Sequence, residues 1–123
     1  MDKKKILLVE DDEFILDLYS TKFSLEDFEV LKAKDGVEGL ELFKKDKPDF
    51  VLLDIKMPKM DGWEVLKEIR KQDKKIPVII FTNVGKEDLE ENQPDLANDY
   101  LVKSFFTPEE VVSRVRKILG LNK

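Results

Sequence analysis

The 123-residue sequence contains neither cysteine nor histidine. The first absence rules out disulfides and thiolate zinc sites, and the second removes histidine-based catalysis. No G-x-x-x-x-G-K-[ST] or G-x-G-x-x-G string occurs, so nothing points to a glycine-rich loop that cradles nucleotide phosphates. Long apolar runs are also missing. The opening "MDKKKILLVE" turns acidic after a few apolar residues, too soon for a signal peptide or a membrane span, and the expectation is a soluble, cytoplasmic protein without a membrane partner. Basic residues are outnumbered, 22 Lys+Arg against 27 Asp+Glu for a formal charge of -5, which argues against a nucleic-acid partner. Without repeats, low-complexity tracts or linkers, residues 1–123 read as one domain with its core over about 5–119 and no separate effector domain.

What is present is an alternation of apolar runs with amphipathic stretches, the pattern of an α/β domain with a parallel sheet. Strands are predicted at 6–9, 30–33, 50–53, 78–81 and 100–102. Helical faces are predicted from Phe14, Ile15, Leu18 and Leu25, from Val37, Leu40 and Phe43, from Val65, Leu66 and Ile69, and from Val111, Val112, Val115, Ile118 and Leu119. The last helix also carries Thr107 as N-cap, Pro108 at its first position, Glu109 and Glu110 in its first turn and Gly120 just past its end. Between the fourth and fifth strands, residues 85–99 hold only Leu89, Leu96 and Ala97 as apolar residues, and Pro94 predicts a short or broken helix there.

Five right-handed βα units give an open, doubly wound sheet whose strand ends share one rim, where ligands bind. Polar residues follow the strands at that rim: Glu10-Asp11-Asp12, Asp54, Thr82 and Lys103. If the strand order is 2-1-3-4-5, the first and third strands are neighbours and bring the acidic cluster to Asp54. Crowded carboxylates resist joint ionisation, so a positive charge belongs among them. An all-oxygen donor set favours Mg²⁺, and Lys103 supplies a second cation. A cation, a lysine, a hydroxyl and a free carboxylate make a phosphoryl-transfer site with Asp54 as nucleophile. Simpler readings exist for single residues. Asp12 can be a helix N-cap, and in "VLLDIKMPKMDGWEVL" Pro58 can fix a turn while Asp61-Gly62 starts the next helix; neither accounts for Asp54.

From "ILLVEDD" to "VVSRVRKILG" the chain resembles the receiver domain of bacterial two-component response regulators. The resemblance rests on the acidic pair after strand one, "LLDIKMPKMDGWE", the "FT" that ends strand four, and "DYLVK". It implies a CheY-like fold: a doubly wound five-stranded parallel sheet of order 2-1-3-4-5 flanked by five helices. It further implies that Asp54 accepts a phosphoryl group from a histidine kinase phosphohistidine, that Asp11 binds Mg²⁺ directly, that Glu10 holds it through water, and that the backbone carbonyl of Lys56 is a further ligand. Lys103 would pair with the phosphoryl group, Thr82 would bond to it, and Tyr100 would be the switch aromatic that reports to the face of the fourth helix, fifth strand and fifth helix.

By the same resemblance the chain is a phosphoacceptor switch and not a turnover enzyme. Its partners would be a histidine kinase or phosphotransfer protein and a separate output protein. It would be a monomer, with dimerisation on phosphorylation open. Two departures stand out: Ser104 follows Lys103 where the family usually has proline, often cis, and Asn83 replaces the small residue after the hydroxyl. They leave the Lys103–Ser104 bond open between trans and cis, and they motivate a second reading, a constitutive interaction module that no longer switches. A third, a small-molecule phosphatase with an aspartate nucleophile, is disfavoured because Lys56 stands where such enzymes carry a second aspartate.

Overall fold

Strands that are apolar at every position need cover on both faces. The computed structural model, which describes residues 3–83 and 96–121, provides it. Strands β1 (Lys4–Val9), β2 (Phe28–Ala33), β3 (Phe50–Leu53), β4 (Val78–Thr82) and β5 (Asp99–Val102) form one parallel sheet in the order β2-β1-β3-β4-β5. Helices α1 (Glu13–Leu25) and α4 (Pro108–Leu119) cover one face, and α2 (Gly36–Asp46) and α3 (Gly62–Gln72) the other. The period-2 alternation of the strands divides the core accordingly. Ile6, Leu8, Phe50, Leu52 and Ile79 pack under α1 and α4, while Leu7, Val9, Val51, Leu53 and Ile80 pack under α2 and α3.

The expected sheet order and all five strands are present, with β1 and β2 each starting two residues earlier than the apolar runs suggest. Four α-helices lie among the described residues. The expected broken fourth helix and its Pro94 fall on 84–95, outside the described residues.

Helix α1 corrects the expected face. Its buried residues are Leu16, Tyr19 and Phe23, and of the expected face only Ile15 packs, half-buried, beside them, whereas Phe14 is 76 % exposed, Leu25 79 % and Leu18 42 %. The helix carries two apolar stripes, and the inward one holds the aromatics that meet the sheet edge-on, Tyr19 against Phe81 and Phe23 against Phe28. On α2, Leu40 and Phe43 are buried as expected, but Val37 is turned outward and Gly36 and Gly39 face the core instead. The α3 and α4 faces match the sequence pattern.

Caps fix where each helix begins. Asp12, Asp35, Asp61 and Thr107 each accept a backbone N–H from the first turn, and Asp61 with Glu64 and Thr107 with Glu110 close capping boxes. Gly120 ends α4 at φ +75°, a left-handed conformation that glycine adopts without strain. The re-entry into β5 is pinned by Arg70, whose guanidinium donates to the carbonyls of Leu96 and Ile76, each at 2.7 Å, and to Asn98 Oδ1 at 3.1 Å. Among the described residues no helix is long and apolar enough to cross a membrane.

Candidate functional site

The central strands place the acids. Val9 and Leu53 are register partners, and the ladder runs one residue further: Asp54 N donates to Val9 O and Glu10 N to Ala33 O, both at 3.0 Å. Glu10 and Asp54 therefore leave β1 and β3 side by side, both buried. Asp11 follows, exposed, and carboxylate oxygens of Glu10, Asp11 and Asp54 lie within 4.8 Å of one another. Asp12 is not part of this cluster; it caps α1 through Ile15 N.

The outer strands bring the positive charge and the hydroxyl. Thr82, buried, is the last residue of β4 and pairs with Val102. The next residue, Lys103, opens a short 3-10 turn, Lys103–Phe105. Its Nζ lies 2.6 Å from Glu10 Oε1 and 3.3 Å from Asp54 Oδ2. The other oxygen of each carboxylate accepts a backbone N–H, Glu10 Oε2 from Asp12 at 3.1 Å and Asp54 Oδ1 from Ile55 at 2.8 Å. Both side chains are thus held at two points, which fixes their orientation before any ligand arrives. Beside Asp54 a cavity of ≈ 280 Å³ opens, lined by Asp54, Lys56, Thr82, Asn83 and Lys103. Asp54 and Lys103 stand between the acidic corner and this cavity.

Burial pushes the Glu10 carboxyl up from 4.5 to about 7, with the Asp54 charge adding to the rise and Lys103 opposing it. For Lys103, burial works against the ammonium, but Glu10 and Asp54 together outweigh it and hold the group above its ordinary value. Glu10 and Asp54 share one ammonium, and with Asp11 beside them the acidic corner is built only of oxygen donors. That chemistry fits a hard divalent cation such as Mg²⁺.

The structure brings together Glu10, Asp11, Asp54 and Lys103, and sets Thr82 and Lys56 around the adjoining cavity. Tyr100, half-buried, lies opposite Ile80 of β4 and packs against the α2/α3 side of the core; it is not among the cavity-lining residues. The Lys103–Ser104 bond is trans.

Two contributions escaped the sequence reading. Gly62, read only as a helix start, is a packing requirement: its N–H donates to Ile55 O at 2.8 Å, and a Cβ there would come within 2.1 Å of the Asp54 carbonyl oxygen. Asn83 and Ser104, read as separate departures, are joined by a hydrogen bond from Ser104 N to Asn83 Oδ1 at 3.1 Å. A glycine after an N-cap aspartate is a signal for the first; nothing in sequence spacing signals the second.

A doubly wound parallel sheet with acids, a hydroxyl and a lysine gathered at its carboxyl rim defines a CheY-like α/β domain. The chain belongs to the response regulator receiver domain family, which it matches over residues 6–116. It is 42 % identical over 120 residues to a probable transcriptional regulator, ycf27, of Guillardia theta, covering 95 % of this chain and 46 % of that protein. The chain therefore spans less than half that relative's length. Among solved structures it is similar to a CheY-like receiver domain protein from Methanospirillum hungatei JF-1, with a TM-score of 0.90 at 28 % identity, covering 97 % of this chain and 95 % of that one. It is also similar to TrrA of Thermotoga maritima, solved in complex with Mg²⁺-BeF, with a TM-score of 0.83 at 36 % identity, covering 94 % of this chain and 98 % of that one. The chain is a receiver domain of the kind that serves two-component signalling.

Proposed function

We propose that this receiver is a phosphorylation-activated switch that accepts a phosphoryl group on Asp54 from a histidine kinase or phosphotransfer protein. The observation that carries the reading is the single ammonium of Lys103 bridging Glu10 and Asp54 at the mouth of a cavity lined by Thr82. The Ile55 N–H holds one Asp54 oxygen in place, so the other, Oδ2, is presented as nucleophile. It attacks phosphorus, the P–N bond to the donor imidazole breaks, and that nitrogen leaves with the electron pair and takes a proton from solvent. Asp11, Asp54, the backbone carbonyl of Lys56 and, through water, Glu10 would hold Mg²⁺, which would supply charge neutralisation for the phosphoryl oxygens. Lys103 supplies a second positive charge, and the Thr82 hydroxyl offers a hydrogen bond to the transferred group. Thr82 and Tyr100 then bias a two-state equilibrium that alters affinity for an output protein. The chain acts as a phosphoacceptor that promotes its own phosphorylation and dephosphorylation, in the cytoplasm, as a monomer that can pair once phosphorylated.

Intact-mass measurement with Mg²⁺ and a small acyl phosphate tests this. One phosphoryl adduct is expected on the wild type, and none on Asp54→Asn or with a chelator. An adduct that persists on Asp54→Asn would move the acceptor elsewhere. A folded wild type that takes no phosphoryl group from either the acyl phosphate or a histidine kinase would favour the constitutive module.

A further inference from the structure

The positions that depart from the family's pattern, Asn83 and Ser104, are in contact, and the contact sits against the functional lysine. Asn83 follows Thr82 at the end of β4; Ser104 follows Lys103 at the end of β5. The Ser104 N–H donates to Asn83 Oδ1 at 3.1 Å. Thr82 and Val102 are the last register partners of β4 and β5, so beyond them the backbone ladder no longer joins the two chains. The Asn83 side chain extends that connection by one residue, across the step that carries Lys103. A proline at 104 would have no N–H to give, and an alanine at 83 no oxygen to receive it.

We propose that Asn83 is a positioning residue that acts through Lys103, clasping the lysine turn to the end of β4 so that the ammonium reaches Asp54 with Thr82 at a fixed separation. The clasp rests on the reading of Asp54 as phosphoacceptor. Three features support it. The Lys103 side chain is only 13 % exposed and spans to both acids, so the backbone position from which it starts governs its reach. The turn that carries it is a 3-10 turn of three residues whose start has no side-chain cap, so the Asn83 contact is its tie to β4 past the ladder. Asn83 also lines the same cavity as Lys103, Thr82 and Asp54, so the anchor stands at the reaction and not behind it. The clasp couples the strand end that carries the hydroxyl to the strand end that carries the lysine: displacement of one pulls the other through a single hydrogen bond.

The test is the rate of phosphoryl adduct formation from a small acyl phosphate, with Mg²⁺ affinity read separately from the fluorescence of Trp63. Wild type, Asn83→Ala, Asn83→Asp, Lys103→Ala and the Asn83→Ala/Lys103→Ala double variant are compared. Asn83→Ala is expected to react roughly tenfold more slowly at saturating Mg²⁺, the Mg²⁺ titration of each variant setting the concentration at which the rates are compared. The Ser104 amide should lose hydrogen-exchange protection in Asn83→Ala and keep it in Asn83→Asp, which retains an acceptor oxygen. In the Lys103→Ala background the Asn83 effect should vanish, as required of a residue that works through the lysine. An Asn83→Ala protein that reacts at the wild-type rate overturns the clasp and leaves the acceptor reading standing, and so does an Asn83 effect that persists in full without Lys103. A folded wild type that takes no phosphoryl group from either the acyl phosphate or a histidine kinase overturns the acceptor reading and the clasp with it.

Discussion

Glu10 lies 2.6 Å from an ammonium, yet burial still pushes its carboxyl up to about 7. The consequence for stability has a definite sign. An acid that binds its proton more tightly when folded stabilises the native state at low pH, because the unfolded chain releases that proton first. The metal-free protein is therefore expected to lose stability as pH rises from about 4.5 to about 7 and to level off above, by an amount on the order of 3 kcal/mol from this group. Urea unfolding at several pH values checks this, and Asp54→Asn, which removes the neighbouring charge, should flatten the slope. Saturating Mg²⁺ should raise stability above pH 7, by about 2.7 kcal/mol at a hundredfold excess over its dissociation constant. A profile that stays flat over this window would show that Glu10 is ionised throughout it. The residues of the cluster were legible in the sequence, since each directly follows or ends an apolar run and topology assembles them. The Asn83–Ser104 contact was not, because a side chain meeting a backbone N–H 21 residues away leaves no periodic trace.

At the scale of elements, α3 is seated against the loop that follows β3 by Gly62 and by the Asp61 cap. Gly62→Ala would drive a Cβ into the Asp54 carbonyl, and a loss of about 2–4 kcal/mol is expected on denaturant unfolding, with weaker Mg²⁺ binding as the loop shifts. Thr107→Ala, remote from the site, should cost about 1 kcal/mol and leave Mg²⁺ binding alone. Helix α1 shows why sequence pattern ran out. Phe14, Leu18 and Leu25 satisfy helical spacing as well as Leu16, Tyr19 and Phe23 do, and only the fit of aromatics to the sheet decides between the stripes. The two stripes should separate cleanly in calorimetry: Phe23→Ala is expected to cost about 3–5 kcal/mol, and Phe14→Ala less than about 0.5 kcal/mol. The α3 and α4 stripes were legible because each has one apolar face and caps that agree with it.

Across the whole molecule the sheet order also sets an order of assembly. β1, near the amino end, lies between β2 and β3, so one of its edges stays unpaired until the chain has been made as far as β3. Such non-local parallel pairings form slowly. β5 pairs only with β4 and forms an edge of the sheet, and it is the strand that delivers Lys103. If docking proceeds outward from β1 and β3, Glu10 and Asp54 meet before their ammonium arrives, and the closing stage of folding is an act of charge compensation. Stopped-flow refolding followed by the buried Trp63 should then show a last phase that is faster at pH 8 than at pH 6 without metal, and Mg²⁺ should remove the difference. A last phase indifferent to both would mean that β5 docks first. On this view the final strand works as a latch on the nascent protein: the corner that gathers the acids is also where the sheet finishes folding.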